Sequence, residues 1–280
     1  MRAGATEYDS TVHYPLSDIA LSRRLERCEA DTNVSMIESR ARLHPELGAA
    51  WIDVNGAYAL FDGVHSPLTQ TFGLGVFSTP EEDDLAQLED FFASRGAAVS
   101  HEVSPLVAPE TLDLLGSRGY RPIELTSILY RPIVATESAS RITTRRIGDG
   151  DADLWSATAA EGWSEIPGLA DFMNDLGRVT AGASGMHAFL AELDGRPIGT
   201  GAVAIHDGVA LLAGASTIPS QRKQGAQKAL LEARLRFAAA QGCDLAMMGA
   251  QPGSASQRNA ERQGFRIAYT RIKWQLGAGA

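Results

Sequence analysis

Two cysteines, Cys28 and Cys243, are all that this chain of 280 residues contains. They stand too far apart for a CxxC metal site and are too few for a disulfide framework. Cys243 opens an apolar stretch and reads as a small buried residue. No apolar run approaches the roughly 20 residues that a membrane-spanning helix requires. The segment Met1–Glu7 lacks the apolar core of a signal peptide, so a cytoplasmic protein without a membrane partner is expected. Lysine is missing from residues 1–140, where ten arginines face twenty-one acidic residues for a charge of −11. Residues 141–280 carry fifteen basic and thirteen acidic residues, +2, and the whole chain is −9. Without a basic stripe to neutralise phosphates, nucleic acid is excluded as a partner. The patterns GxxxxGK[ST], GxSxG and HExxH are absent, and no two of the six histidines stand at metal-ligand spacing, so no metal is expected. Asn33-Val34-Ser35 matches a glycosylation sequon, which carries no weight without a secretory signal. Gly199-Thr200-Gly201-Ala202-Val203-Ala204 fits GxGxxA, but it follows a turn and runs on as a strand, so it reads as glycines allowing close strand packing.

What is present is a soluble, globular composition: 44% apolar and 21% charged, in a chain long enough for two domains with cores of their own. After a polar lead (1–16), Asp18 is a plausible cap for an amphipathic helix reaching Leu43. Asn55-Gly56 joins Trp51–Val54 to Ala57–Phe61 as a hairpin. A strand over 71–77 is expected next, then a helix over 81–95 closing on Gly96. Strand 99–103, helix 109–118 and a strand or strand pair over 120–132 complete the first half. Residues 134–141 read as a linker. The second half repeats this order. Strand 142–147 leads through Gly148-Asp149-Gly150 to helix 151–161, and a second helix covers 170–180. A hairpin follows over 187–205, then strand 209–216. Both halves end on a helix closing in Gly-aromatic-Arg, Gly119-Tyr120-Arg121 and Gly264-Phe265-Arg266, before a last strand. This is a loose internal repeat.

The most informative stretch is Ser216-Thr217-Ile218-Pro219-Ser220-Gln221-Arg222-Lys223-Gln224-Gly225-Ala226-Gln227-Lys228. An apolar strand runs into a basic, glycine-containing turn, and a helix begins there, with Ala226, Leu230, Ala233 and Phe237 along one face. Such a turn presents unpaired N–H groups and the positive end of a helix dipole to an anion, and Gly225 lets backbone approach it closely. The pattern predicts a phosphate site. At the corresponding place in the first half, Thr79 is expected to cap a helix whose first turn carries Glu81-Glu82-Asp83-Asp84. Four carboxylates suit a helix N-terminus and repel a pyrophosphate.

Pro219, Arg222 and Gly225 match the spacing of the pyrophosphate loop, Arg/Gln-x-x-Gly-x-Gly/Ala, so the stretch resembles the GNAT superfamily of N-acetyltransferases. Strand 243–250 and the short helix 254–265 ending in Gly264-Phe265 follow in that family's order. The resemblance covers about residues 141–276. It implies a mixed α/β fold with two tandem GNAT-like domains: 17–133, degenerate and without a pyrophosphate loop, and 142–276, which takes the co-substrate. For 17–133 an unrelated α/β domain is the alternative. The resemblance implies acetyl-CoA as co-substrate, held by the backbone of Ser216 and Thr217, by the turn Arg222, Lys223, Gly225, Ala226, Gln227 and Lys228, and by Asn259. It implies an N-acetyltransferase in which the neutral amine of a small molecule or peptide attacks the thioester directly. It leaves an oligomer open.

The chain departs from the family in three places. Gln227 replaces a small residue, so its side chain must turn from the phosphate or bond it. Ala260 stands where a tyrosine frequently protonates the departing thiolate. Strand 209–216 carries no glutamate base. The catalytic residues are therefore unassigned, and His187, Glu161 and Glu165 are the candidates to test. A protein that binds acyl-CoA as a sensor or partner module, without transferase activity, is the alternative. Trp163 between Glu161 and Glu165 suits either a cationic amine or a buried helix–loop–helix corner.

Overall fold

In the computed structural model, which describes residues 13–134, 141–148 and 150–277, one mixed sheet of eleven strands runs through the molecule. The expected linker lies almost wholly outside the described residues, as do most of the polar lead and Asp149. Helix α1 (Ile19–Leu43) starts where the Asp18 carboxylate accepts from the Leu21 N–H at 2.9 Å. It lays Leu21, Leu25, Cys28 and Ile37 against the sheet and touches strands of both halves.

The first half continues with β1 (Ala50–Val54), β2 (Ala57–Phe61), β3 (Gln70–Phe72), α2 (Glu82–Ala93), β4 (Ser100–Val103), α3 (Pro109–Ser117) and β5 (Tyr120–Pro132). Asn55 and Gly56 both take positive φ, 51° and 89°, and close the predicted β1–β2 hairpin. The strand expected over 71–77 ends at Phe72 because Gly73 and Gly75 turn the chain at φ 80° and 76°. Helix α2 is capped by Glu81 rather than Thr79, and the Asp84 carboxylate accepts from the Glu81 N–H at 2.9 Å.

The second half comprises β6 (Thr143–Arg146), α4 (Ala152–Glu161), α5 (Leu169–Gly182), β7 (Met186–Leu193), β8 (Arg196–His206), β9 (Val209–Thr217), α6 (Ala226–Ala240), β10 (Leu245–Ala250), α7 (Ala255–Arg262) and β11 (Arg266–Leu276). Strand order is β1-β2-β3-β4-β11-β5-β10-β9-β8-β7-β6. Each half has given its last strand to the other: β11 pairs with β4, and β5 pairs with β10. The two exchanged strands pair with each other at the centre, Tyr120 opposite Leu276 and Tyr130 opposite Arg266. The internal repeat is thus a pseudo-two-fold arrangement with β5 and β11 at its middle.

Buried ion pairs fasten α1 across this junction. Arg271 on β11 reaches Glu26 at 3.2 Å and Glu29 at 2.8 Å through Nη1, and Glu102 on β4 at 2.9 Å through Nε. Tyr269 donates to Glu26 at 2.8 Å. Burial, opposed by Arg271 and reinforced by the neighbouring carboxylates of Glu29 and Glu102, pushes the Glu26 carboxyl up to about 7. Toward the end of α1, Arg40 binds Asp62 beyond β2 at 2.8 Å and also pairs with Asp175 on α5.

Candidate functional site

Strands β9 and β10 run parallel and pair only along Val209–Leu211 and Leu245–Met247. Beyond that point they separate. Strand β10 stays on β5 as far as Ala250 opposite Ser127, while β9 follows β8 through a bulge. Pairing there jumps from Ala202–Ala213 to Thr200–Ser216. Gly214 adopts φ 59° in the bulge, and a Cβ on it would stand 3.1 Å from the ring of Trp155. Trp155 is itself fixed by its N–H to the Phe189 carbonyl at 3.0 Å. The outcome is a V-shaped opening in the sheet with exposed Gly214 and Ala215 on one arm and Gly249 on the other.

At the mouth of the V the chain makes a tight turn at Pro219–Gln221, takes φ 67° at Lys223 and 93° at Gly225, and starts α6. Ala229 N–H to Gly225 carbonyl, 3.0 Å, is the first bond of the helix. The N–H groups from Lys223 to Lys228 meet no acceptor among the described residues, so the helix offers its positive end outward. A Cβ on Gly225 would face open space. The chain contains three lysines, and two of them, Lys223 and Lys228, are in this turn.

V and turn share one cavity of about 820 Å³. Ser216, Thr217, Arg222, Lys223, Gly225, Ala226, Gln227, Lys228 and Asn259, the residues expected to hold the co-substrate, all line it. Its inner wall is apolar, with Leu212, Leu231, Met248 and Phe265. Gln227 turns its amide away from the mouth, donating to the Ser216 carbonyl at 2.7 Å, Thr217 Oγ1 at 2.9 Å and the Thr200 carbonyl at 3.3 Å. The longer side chain is thus spent on β8 and β9. Ser216 Oγ donates to the Ala159 carbonyl at 3.0 Å, which binds β9 to α4.

Of the three catalytic candidates, only Glu165 lines the cavity. It accepts from Arg222 Nη1 at 2.5 Å, and Nη2 of the same guanidinium reaches the Gly162 carbonyl at 3.4 Å. Glu161 is exposed at the end of α4, outside the lining. His187 lies within β7 opposite Val203, with its ring 4.5 Å from Phe237. Burial and the Arg146 charge push its pKa down, and it does not line the cavity. Trp163 is half-buried in the cavity wall. Ala260 is buried and also faces the cavity.

Sequence reasoning missed Arg234. It sits on α6 at the buried face, one turn after Leu230, with 4% of its surface exposed. Among the described residues no carboxylate pairs with it. Its Nε donates to the Leu230 carbonyl at 3.1 Å, and Nη1 to the carbonyls of Ala202 (3.1 Å) and Ala213 (3.2 Å), which flank the bulge. The detectable signal was an arginine among alanines on the apolar stripe of the helix.

The first half differs at the corresponding place. Strands β3 and β4 are parallel there, and Leu74 and Val76, just past β3, are buried in the core of the first half. The first turn of α2 carries Glu82, Asp83 and Asp84.

Residues 152–265 match the model of the acetyltransferase (GNAT) family. No curated protein sequence matches the chain. Among solved structures, a GCN5-related N-acetyltransferase from Kribbella flavida superposes with a TM-score of 0.61 at 20% identity, over 88% of this chain and 96% of that one. A GCN5-related N-acetyltransferase from Sphaerobacter thermophilus gives 0.51 at 14% identity, over 90% and 93%. A tandem GNAT protein from the clavulanic acid biosynthesis pathway gives 0.57 at 12% identity, over 95% and 98%. At these identities the likeness is one of fold, and it extends over both halves. Residues 152–265 therefore match a GNAT acetyltransferase-family domain, in a chain whose fold is similar to that of a tandem GNAT protein.

Proposed function

We propose that this chain is an acyl-CoA-dependent N-acetyltransferase that moves an acetyl group from acetyl-CoA to an amine by direct attack. The observation that carries the proposal is the continuity of the opened sheet with the unpaired N–H groups at the start of α6 in one cavity. The residues fit a diphosphate with an extended arm. Lys223 to Lys228 would take the pyrophosphate by backbone N–H and charge, with Arg222 released from Glu165. The free edge of β9 at Ser216 and Thr217 would pair with the amides of the arm like an added strand, and Asn259 would reach it from α7. In chain terms, we propose 17–133 and 142–276 as the two units, each completed by the other's last strand, with only the second taking acyl-CoA.

Acetyl-CoA supplies an activated acyl group, and the protein supplies position, exclusion of water and an N–H near the bulge to polarise the carbonyl. The acceptor is a small-molecule or peptide amine that enters by the Trp163 side of the cavity. Ala260, with no hydroxyl, and β9, with no carboxylate, favour one second reading: an acyl-CoA-binding module that does not turn over. Calorimetry with acetyl-CoA tests the site. Free-thiol release with a panel of amines, amino acids and aminoglycosides separates enzyme from module. Failure to bind acetyl-CoA overturns both readings, and binding without thiol release across the panel leaves the module.

A further inference from the structure

Arg234 lines the same cavity as Ala260, the position at which a tyrosine acid is missing. Pairing between β9 and β10 ends at Leu211 and Met247, and the Arg234 guanidinium binds the Ala213 carbonyl just past that apex. Along α6, Arg234 lies seven residues beyond Gln227, roughly 10 Å from the basic turn, and it lines the same cavity. An arm anchored by its phosphates at the turn and running up the V brings its far end, the sulfur, to this apex.

Structural duty explains only part of the side chain. Nε donates to the Leu230 carbonyl one turn back on α6, and Nη1 to the carbonyls of Ala202 and Ala213 beside the bulge. Nη2 has no partner among the described residues, and Arg234 belongs to the cavity wall. The fold makes room for this cation at a cost: a Cβ on Gly201 would stand 2.8 Å from its Cζ. Burying a guanidinium without a carboxylate is itself unfavourable. Burial brings its pKa down to about 10, so it remains a cation at neutral pH. The cavity wall it shares includes the apolar Leu212, Leu231 and Met248, which do little to screen a charge there.

We propose that Arg234 stabilises the departing CoA thiolate at the apex of the cleft through Nη2, standing in for an acid. The inference rests on the acyl-CoA reading of the cavity. The amine lone pair forms the C–N bond to the thioester carbon, and the C–S bond breaks with its electron pair going to sulfur. The proton lost from the amine goes to solvent. Arg234 keeps its own proton and contributes charge only.

The test uses the full chain and CoA itself. Calorimetry first establishes binding, and the bound thiol is then titrated by its thiolate absorbance, with desulfo-CoA as the blank. In the unaltered protein the thiol titrates about one pH unit or more below its ordinary value. Arg234→Gln restores the ordinary value while CoA still binds, and Arg234→Lys keeps most of the shift. If Arg234→Gln does not fold, the unaltered protein and Arg234→Lys decide. Bound CoA whose thiol titrates at its ordinary value, or a shift that survives Arg234→Gln, overturns the proposal while leaving the cavity's assignment standing. Absence of CoA binding overturns that assignment as well.

Discussion

Gly225 offers the cleanest separation of backbone from charge at the mouth of the cleft. Its φ of 93° is open to glycine and costly to other residues, and a Cβ built on it meets nothing within 4 Å. Gly225→Ala therefore introduces left-handed strain without a clash, about 1–2 kcal/mol of stability. Gly225→Asp carries the same strain and adds a carboxylate beside the site proposed for pyrophosphate. At a separation of ~6 Å and an effective dielectric of ~40, each phosphate charge opposes that carboxylate by roughly 1.4 kcal/mol. Two such charges give about 3 kcal/mol, near a hundredfold loss of affinity. The comparison is Gly225→Asp against Gly225→Ala, by calorimetry with CoA at low salt, after circular dichroism has shown both variants folded. High salt must narrow the gap. If the two folded variants bind CoA within twofold of each other, the turn does not hold the pyrophosphate.

Three further outcomes follow from the geometry. Glu165→Gln removes the partner of Arg222; because both groups are largely exposed, the gain is at most about fivefold in CoA affinity by calorimetry, and a loss of affinity would show that Glu165 serves the ligand directly. Glu26 has its carboxyl raised to about 7 in the folded protein, so the fold binds its proton more tightly than the unfolded chain does. Its contribution is complete below the ordinary carboxyl range and is lost as pH rises through about 7. Thermal melts from pH 5 to 8 should show Glu26→Gln gaining on the unaltered protein by about 1–3 kcal/mol, and parallel curves would refute this. Residues 142–280 produced alone lack β5, which leaves edges of β10 and β11 unpaired. They should be insoluble or associate with themselves, and co-production with residues 13–134 should rescue them; a well-folded monomer would show that the exchanged strand is dispensable.

Much of the cleft was legible because its chemistry lies in one continuous stretch. From Ser216 to Lys228, strand end, turn and helix start follow one another, so local pattern alone brings the donors together. The Asn55-Gly56 hairpin and the Asp18 cap were legible for the same reason. The strand expected beyond Phe72 failed because Gly73 and Gly75 outweigh the apolar character of Leu74 and Val76, which are core residues on a turn. His187 looked available because its own neighbours in sequence are unremarkable; only the packing of α6 on β7 brings Phe237 onto its ring. Arg234 was hidden for the opposite reason. Its partners are carbonyls of Ala202 and Ala213, and no side-chain pattern announces a backbone acceptor. The strand exchange was hidden too: two similar helix–strand endings signal a repeat, but not which half each strand joins.

That exchange also bears on what the first half does for the opened sheet of the second. Opening the V frees one edge of β10 from Met248 to Ala250, since its pairing with β9 stops at Met247. The other edge is held by β5, Leu129 to Ser127, a strand of the first half. Strand β5 is in turn clamped along its length by β11, and β11 is tied through Arg271 to α1 and β4. An arm of sheet that is unpaired on one side stays in place only if its other side is rigid. The first half supplies this rigidity, with Leu74 and Val76 past β3 buried in its core. The first half braces the strand that the open half leaves exposed.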